Sequence, residues 1–261
     1  MAIVVDPDWW KTLFDEVYLI TDARSVCDEV LTCREVDVIC ELLALDFNHK
    51  ILDLCGGHGR HTLELYKRGY TNCTLLDYSK KLIDVAETKA NENDYSVNFI
   101  QCDARSTDLP GSSFDHVIIM GNSLGYIQSP DADSKIIKEA YRILRPGGRL
   151  LVDVTDSSVV KNLFNPTSWH EIGEETVVCR HRELRGNMIH ARELVIDKQK
   201  GLIRDQTYAI RLYDSESLDV LLQHSGFSKV KIHTNFSPHP SDGDYGFMNN
   251  RMIGVGQKIS T

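Results

Sequence analysis

Short apolar runs that alternate with helical stretches constrain the fold of this chain more than any other feature. The runs lie at residues 51–54, 73–76, 97–100, 116–120 and 150–152, and helices are predicted at about 60–68, 80–90 and 132–144. Such alternation buries its strands only in a mainly parallel sheet with helices on both faces. A sheet of that kind has a ligand crevice at the carboxyl ends of its strands. The expected fold class is therefore α/β.

The chain is expected to divide into four parts around this sheet. Residues 1–46 form an N-terminal helical cap, in which Thr32-x-x-Glu35 resembles a capping box that opens a helix through Leu45. Residues 47–155 form the ligand-binding core, with a turn at 145–148 before the fifth strand. Residues 156–213 form an antiparallel β-meander insertion over the crevice, with three strands at 176–184, 188–197 and 202–212. Residues 214–261 complete the core sheet with a helix at 215–224 and strands near 228–233 and 252–255.

Composition narrows the class of protein. The chain is 42% hydrophobic and 26% charged, with a net charge of −9, as in an ordinary soluble globular protein. No apolar run approaches the roughly 18 residues of a membrane span. The first residues also lack the basic flank and apolar stretch of a secretory signal. A negative balance argues against a duplex-binding protein, so we expect a cytoplasmic protein with a small-molecule partner and no nucleic-acid partner.

The cysteines and histidines predict no metal site. The seven cysteines are an odd number without a C-x-x-C pair, and none of the ten histidines forms H-E-x-x-H. Scattered thiols of this kind are typical of a reducing compartment, where most act as small buried apolar side chains.

A glycine-rich loop, Asp53–Gly59 with the sequence DLCGGHG, joins the first strand to the following helix. Glycine allows a tight turn and a close approach of ligand to backbone. A dinucleotide pyrophosphate would favour G-x-G-x-x-G. Counted from Gly57, the third position of that pattern is Thr62, which weakens the interpretation as a nicotinamide-binding oxidoreductase. Asp53, before the loop, can instead organise a cationic ligand or its bound water.

Two further acids follow the second and third strands. Asp77 can accept hydrogen bonds from both hydroxyls of a ribose, and Asp103 can receive an adenine amine while the Ala104 amide meets a ring nitrogen. Hydrogen bonds to a charged group contribute roughly 1.5–3 kcal/mol each. Any one of these acids could instead be a helix cap or a solvated loop end. Three acids at successive strand ends, the first beside a glycine loop, favour a nucleoside site.

These residues resemble the class I S-adenosylmethionine-dependent methyltransferases over about Lys50 to Asp153. The resemblance includes the Asp53–Gly59 loop, Asp77, the 102–104 segment, the fourth strand from Phe114 and the Leu144–Gly148 turn. Cys55 stands where the family has its first loop glycine, and its carbonyl would face the methionine amine. The resemblance implies S-adenosyl-L-methionine as cofactor. It also implies a Rossmann-like seven-stranded sheet in the order 3-2-1-4-5-7-6, with the last strand antiparallel.

The strand-end residues and this resemblance together give the expected cofactor-binding residues, and Tyr18 is added because its ring can close over the methionine end and attract the sulfonium. They are Tyr18, Asp53, Cys55, Gly56, Gly57, Gly59, Asp77, Tyr78, Leu82, Asp103, Ala104, Met120, Gly121 and Asn122. Segments 56–61, 121–126, 211–213 and 221–227 are similar to small-molecule members that carry a β insertion. An insertion at that point of the chain lies near the crevice and can cover it.

Residues outside the cofactor loops are expected to contact the acceptor. Tyr126 is a catalytic candidate just beyond the fourth strand, and His190 is a candidate general base. Arg180, Arg192 and Arg211 are candidates for binding an anionic substrate, because arginine forks match carboxylate or phosphate. A solvated outer face explains these charges equally well. The tracts 235–239 and 242–246 are expected to form a loop near the crevice.

The function expected from these features is in-line methyl transfer to N, O or C of a small molecule. Orientation of two bound reactants lowers such a barrier by about 7–11 kcal/mol, more than a general base typically does. Four alternatives stay open at this point. They are a cyclase or lyase that uses the same cofactor, an RNA or protein methyltransferase, an oxidoreductase and a non-catalytic binding module.

Overall fold

The computed structural model describes residues 2–22, 27–239 and 246–259. Its eleven strands are β1 (Ile51–Leu54), β2 (Cys73–Asp77), β3 (Asn98–Gln101), β4 (Phe114–Ile119), β5 (Leu144–Thr155), β6 (Thr167–Ile172), β7 (Thr176–Arg185), β8 (Met188–Asp197), β9 (Gly201–Arg211), β10 (Ser228–Phe236) and β11 (Arg251–Gln257). Its α-helices are α1 (Glu16–Thr21), α2 (Glu29–Leu43), α3 (Arg60–Lys67), α4 (Lys80–Glu92), α5 (Ala132–Ile143), α6 (Ser157–Asn162) and α7 (Ser215–His224). Short 3-10 helices cover Trp9–Lys11 and Gly246–Asn249.

Seven strands form one sheet in the order β3-β2-β1-β4-β5-β11-β10. The first five are parallel, and β11 is antiparallel to both of its neighbours. Counted within this sheet, the order is 3-2-1-4-5-7-6 with an antiparallel last strand, so the expected topology is confirmed.

Helices cover both faces of this sheet because its central strands are apolar on both sides. All four residues of β1 are buried. Leu52 and Leu54 pack in a core cluster with α5 and α7, whereas Ile51 packs with Ile39 and Leu43 of α2 on the other face. Side-chain caps begin several helices, and the Ser79 side chain caps α4 by accepting from the Leu82 amide. Within the described ranges, no helix is long and apolar enough to cross a membrane.

A second sheet contains four antiparallel strands in the order β6-β7-β8-β9. The three predicted strands of the insertion are present as β7, β8 and β9. The prediction was incomplete, because β6 and the short helix α6 also lie in this segment. β6 is an edge strand, and one of its faces exposes Thr167, Trp169 and Glu171. Its sequence therefore contains no continuous apolar run, which is the pattern that predicts a buried strand.

One local expectation was wrong. The helix predicted to open at Thr32 begins at Glu29, because the Asp28 side chain accepts from the Leu31 amide and caps it. Thr32 lies inside that helix, and its hydroxyl donates to the Asp28 carbonyl at 2.8 Å. The predicted turn at 145–148 lies within β5, where the register with β4 passes from Phe114–Leu144 to His116–Arg149 and Gly147 has the positive φ, 81°, that such a turn requires at its third residue.

Candidate functional site

A cavity of about 240 Å³ lies at the carboxyl ends of the central parallel strands. The loops after β1, β2, β3 and β4 form one side, as the sheet topology dictates. Residues 9–18 of the N-terminal segment and one face of the second sheet form the other side. Of the fourteen residues expected at the cofactor, all except Gly59 line this cavity.

The glycine loop approaches the Asp53 side chain closely. Asp53 is buried and accepts a hydrogen bond from the Thr62 hydroxyl at 2.7 Å. A Cβ atom at position 56 would lie 2.8 Å from Asp53 Cγ, so only glycine fits there. Burial raises the pKa of Asp53 to about 6. The hydrogen bond from Thr62 opposes this rise, and the nearby negative charge of Asp77 adds to it. Cys55 adopts a φ of 64°, which satisfies the backbone requirement of a position where the family has glycine.

Asp77 ends β2 and organises the loops on either side of it. Its Oδ2 accepts from the Gly57 amide and its Oδ1 from the Ser79 amide, both at 2.8 Å. Burial raises the pKa of Asp77, while these backbone hydrogen bonds oppose the rise. Tyr78 beside it packs edge-on against Trp10, with ring centroids 4.7 Å apart.

Asp103 lines the cavity beyond β3, but its carboxylate already has a partner. Arg105 Nε lies 3.0 Å from Oδ1 and its Nη2 lies 2.5 Å from Oδ2. The Arg105 hydrogen bond lowers the pKa of Asp103, although partial burial opposes it. The Arg105 guanidinium also lies 5.3 Å from the Trp10 ring centroid. Asp103 and Trp10 are thus held together at one end of the cavity.

The loop after β4 is held by polar contacts to β5. The Gly121 amide donates to Asp153 Oδ2 at 2.9 Å, and Asn122 Oδ1 accepts from the Thr155 amide at 2.8 Å. Gly121 and Asn122 both have positive φ angles, 67° and 61°. The amide oxygen of Asn122 therefore supports the loop.

An aromatic wall faces these loops. It consists of Trp9, Phe14, Tyr18, Tyr126 and Tyr208. The Tyr126 ring lies 5.4 Å from Trp9 and 5.3 Å from Phe14, and Phe14 lies 5.1 Å from Tyr18. Burial raises the pKa of both Tyr18 and Tyr126, so both phenols stay protonated at neutral pH.

The face of the second sheet that borders the cavity carries buried charges. Arg180 Nε donates to Glu193 Oε2 at 2.7 Å, and its Nη2 lies 3.2 Å from Asp22 Oδ2. Arg204 Nη1 approaches the other Glu193 oxygen at 3.4 Å, and Arg204 also pairs with Asp15. Opposite charges thus alternate across this wall.

Residues 51–148 match the sequence model that describes the methyltransferase domain family. The chain is also 26% identical over 220 residues to a putative methyltransferase, YqeM, of Bacillus subtilis. That match covers 82% of this chain and 88% of the relative.

Residues 51–148 of this chain are therefore a methyltransferase domain that uses S-adenosylmethionine. The methyltransferase fold extends over nearly the whole chain. The CcbJ methyltransferase from Streptomyces caelestis superposes with a TM-score of 0.76 at 18% identity, covering 97% of this chain and 99% of that one. CalS10, an S-adenosylmethionine-bound amino pentose methyltransferase from Micromonospora echinaspora, gives 0.67 at 16% identity, covering 94% and 98%.

The cofactor of this methyltransferase is S-adenosylmethionine, and the cavity fits it. The loop leaves a cradle at Gly56 that any side chain would fill. Asp53 Oδ1 is buried and has no hydrogen-bond partner among the described residues, so it can accept from a bound cation or water. Those residues include no group of three or more His, Cys, Asp or Glu side chains able to hold a metal ion.

Three residues that were predicted on the acceptor side of the methyltransferase lie elsewhere. His190 and Arg192 are on the outer face of β8, because neighbouring residues alternate and Glu193 faces the cavity. Arg192 there pairs with Asp205 in solvent. Arg211 pairs with Asp133 and donates to the Gln128 carbonyl at 3.0 Å. These placements do not support a general-base role for His190 or substrate-binding roles for the two arginines.

Several residues lining the methyltransferase cavity were not predicted as site residues. They are Glu35, Arg60, Glu193, Arg204 and Tyr208. One signal was available, since Glu193 lies between Ala191 and Val195 on the apolar face of β8. Of the late tracts, His239 lines the cavity, and residues 242–245 lie outside the described residues.

Proposed function

We propose that the protein transfers a methyl group from S-adenosylmethionine to N, O or C of a small molecule. In this proposal, residues 47–155 and 214–261 form the cofactor core, while 1–46 and 156–213 enclose the acceptor. The observation that carries it is one continuous cavity from the glycine loop to the second sheet. An enclosing wall of aromatic side chains suits a small acceptor better than a polymer.

The fourteen predicted residues are assigned to different parts of the cofactor. Asp77 would receive the ribose hydroxyls, and Asp103 with Ala104, Tyr78 and Leu82 would border the adenine. Asp53, the Cys55 carbonyl and the 120–122 loop would border the methionine end, and Gly59 would shape the loop from behind. When bound, this cofactor supplies an electrophilic methyl group on its sulfonium.

The protein contributes position and exclusion of water. The aromatic wall removes water from the acceptor region, and the protonated phenols of Tyr18 and Tyr126 present neutral, electron-rich rings to a sulfonium. Because burial holds their pKa values high, these tyrosines do not act as phenolate bases at neutral pH. Orientation is therefore the main source of barrier lowering.

The acceptor is proposed to carry an anionic group that pairs with Arg180. The two carboxylate partners of Arg180 differ, because the Glu193 side chain is 4% exposed and that of Asp22 is 34% exposed. A substrate anion can replace Asp22 at one edge of the guanidinium while Glu193 keeps the other edge in place. Arg180→Gln should then raise KM for the acceptor and leave cofactor affinity unchanged.

The experiment is a labelling assay with S-adenosylmethionine carrying an isotopic methyl group and a low-molecular-weight metabolite extract. We expect mass spectrometry to find label in a small anionic product together with S-adenosylhomocysteine, and less of both with Asp77→Ala at a limiting cofactor concentration. Methylthioadenosine as the spent cofactor would establish cyclase or lyase chemistry. Label found only in added RNA or protein would replace the small-molecule acceptor by a macromolecule.

A further inference from the structure

Glu35, contributed by α2, is a buried carboxylate at the cavity that the cofactor assignments leave without a role. Its side chain is fully buried, yet it borders the cavity. Arg60 and Arg251 both form ion pairs with it, and His61 Nε2 lies 2.9 Å from its Oε2. Burial alone would raise the pKa of Glu35, but the two guanidinium groups hold it well below its usual range. The group is therefore an anion at neutral pH.

Of the two arginine partners of Glu35, Arg60 is the one that lines the cavity. It is the first residue of α3 and directly follows the glycine loop. Its side chain is 10% exposed, and its Nη1 also donates a hydrogen bond to the Thr32 hydroxyl oxygen of α2 at 3.1 Å. Arg180 and Arg204 also border the cavity, but they lie on the second sheet and pair with Glu193. Arg60 is thus a cation on the core side, beside the end of the loop.

Arg251 links Glu35 to the second cofactor loop. It is fully buried on β11 and donates from Nη1 to Asp153 Oδ2 at 2.7 Å. The same Asp153 oxygen receives the Gly121 amide at 2.9 Å. A continuous chain of charged contacts therefore runs from Arg60 through Glu35, Arg251 and Asp153 to the loop after β4. The loop after β4 is where the methionine end of the cofactor is proposed to bind, and Arg60, at the other end of this chain of contacts, lines the same cavity.

We infer that Glu35 is a positioning residue that holds Arg60 in place to recognise the α-carboxylate of the cofactor. This inference rests on the proposed orientation of the cofactor. A guanidinium forms charge-assisted hydrogen bonds with a carboxylate, and a fixed guanidinium loses less side-chain freedom on binding. Glu35 supplies that fixation because its Oε2 forms a buried ion pair with Nη1 of Arg60.

The inference is tested by comparing two ligands, S-adenosylhomocysteine and methylthioadenosine. Both contain the thioadenosine group, but only the first carries the amino-acid carboxylate. We expect calorimetry on the wild-type chain to give a ratio of affinities of about tenfold or more in favour of S-adenosylhomocysteine, the scale of one charge-assisted hydrogen bond. Arg60→Gln and Glu35→Gln should both reduce that ratio towards one and leave methylthioadenosine binding nearly unchanged.

Controls separate the possible failures. Arg68→Gln changes an arginine at the far end of α3 and should keep the wild-type ratio. Glu35→Asp should restore part of it. If Glu35→Gln does not fold, because removing one partner leaves buried arginines uncompensated, Arg60→Gln and Thr32→Val carry the test. An unchanged ratio in folded variants overturns the role of Glu35, whereas a wild type that binds neither ligand overturns the cofactor assignment.

Discussion

Asp77 shows how one carboxylate serves both structure and ligand binding. Its two oxygens receive the Gly57 and Ser79 amides, which fix the glycine loop relative to the end of β2. A carboxylate oxygen has more than one acceptor site, so these bonds leave capacity that can face a ligand. The backbone contacts explain why an acid at this position is both a loop support and a candidate for ribose.

Asp77→Ala is expected to weaken S-adenosylmethionine binding by about 1.5–3 kcal/mol, the scale of hydrogen bonds to a charged group. The matched control is Asp84→Ala, which removes an exposed acid paired with Lys80 on α4. Isothermal calorimetry on both folded variants checks the prediction. Equal affinity of Asp77→Ala and wild type would remove the ribose assignment.

Gly125 is a second residue at which the backbone geometry requires glycine. Its φ is 97°, and a Cβ atom there would lie 2.6 Å from the Arg211 carbonyl oxygen. Gly125→Ala should cost about 2–4 kcal/mol of unfolding free energy, because left-handed strain adds to a backbone clash. Gly186 also has a positive φ, 63°, but among the described residues none beyond its chain neighbours has an atom within 4 Å of where a Cβ would stand. Gly186→Ala should therefore lose only the free energy of backbone strain, about 1–2 kcal/mol. Urea unfolding of both variants measures the difference, and equal losses would contradict the clash.

The environment of His116, away from the cavity, predicts that the folded state loses stability in acid. Burial lowers its pKa to about 4, with the neighbouring His49 adding to the effect and Asp115 opposing it. His116 Nε2 lies 3.0 Å from His49 Nδ1, and its own Nδ1 is buried without a hydrogen-bond partner among the described residues. A second proton on this ring is therefore unfavourable in the folded state.

The unfolded chain binds that proton near pH 6.5 and the folded chain only near pH 4, so stability falls as the pH is lowered through this window. Between pH 7 and pH 5 the contribution of His116 should fall by about 2 kcal/mol. His116→Gln should remove this part of the pH dependence, and His224→Gln, at an exposed position, should keep it. Urea unfolding at both pH values is the measurement. Parallel pH profiles for wild type and His116→Gln would contradict it.

At the scale of elements, the N-terminal segment is tied to the core by a helix cap. Ser79 Oγ accepts from the Leu82 amide at 3.2 Å to cap α4, and it donates to the Phe14 carbonyl at 2.6 Å. Phe14, Ser79 and Leu82 all border the cavity. One hydroxyl thus joins the aromatic wall to a helix whose first turn faces the ligand.

Ser79→Ala is expected to lower the unfolding free energy by about 1 kcal/mol, as for loss of a cap, and to weaken cofactor binding severalfold. Asp214→Ala is the matched control, since Asp214 caps α7 through a capping box away from the cavity. It should lose similar stability and keep cofactor affinity. Thermal unfolding and calorimetry on both variants give the two quantities. A cofactor affinity lowered equally in both would show a general effect of destabilisation.

The element boundaries show what local patterns can predict. The runs at 51–54 and 188–197 coincide with β1 and β8, and the helix at 215–224 coincides with α7. β6 was missed because an edge strand with one exposed face needs no apolar run. Which face of β8 borders the cavity depends on how the two sheets pack together. His190 and Arg192, which were predicted to contact the acceptor, lie on the outer face.

At the scale of the whole molecule, the ligand site joins two sheets that are far apart in the chain. Walls contributed by residues 9–18 and by β7–β9 close over loops of the parallel sheet. A ligand that contacts all of these parts binds only the assembled fold. Binding should therefore stabilise the chain against unfolding by mass action.

S-adenosylhomocysteine at about 100 times its Kd should add about 2.7 kcal/mol to the unfolding free energy. For a chain of this size, that corresponds to a rise in Tm of roughly 5–10 °C. NAD is the control, because Thr62 stands where a dinucleotide site would have its third glycine, and it should leave Tm unchanged. Differential scanning calorimetry makes the comparison. Stabilisation by NAD alone would favour the oxidoreductase alternative.

The parallel sheet, the glycine loop and the three strand-end acids followed from the order of residues alone. Each depends on neighbours within a few positions, since strand period, turn geometry and helix caps are local properties. The partners of buried charges did not follow. Glu35, Arg60 and Arg251 lie on α2, α3 and β11, and they meet only in the folded chain. Contacts between distant segments depend on how the helices and the second sheet pack on the core, which no local pattern specifies.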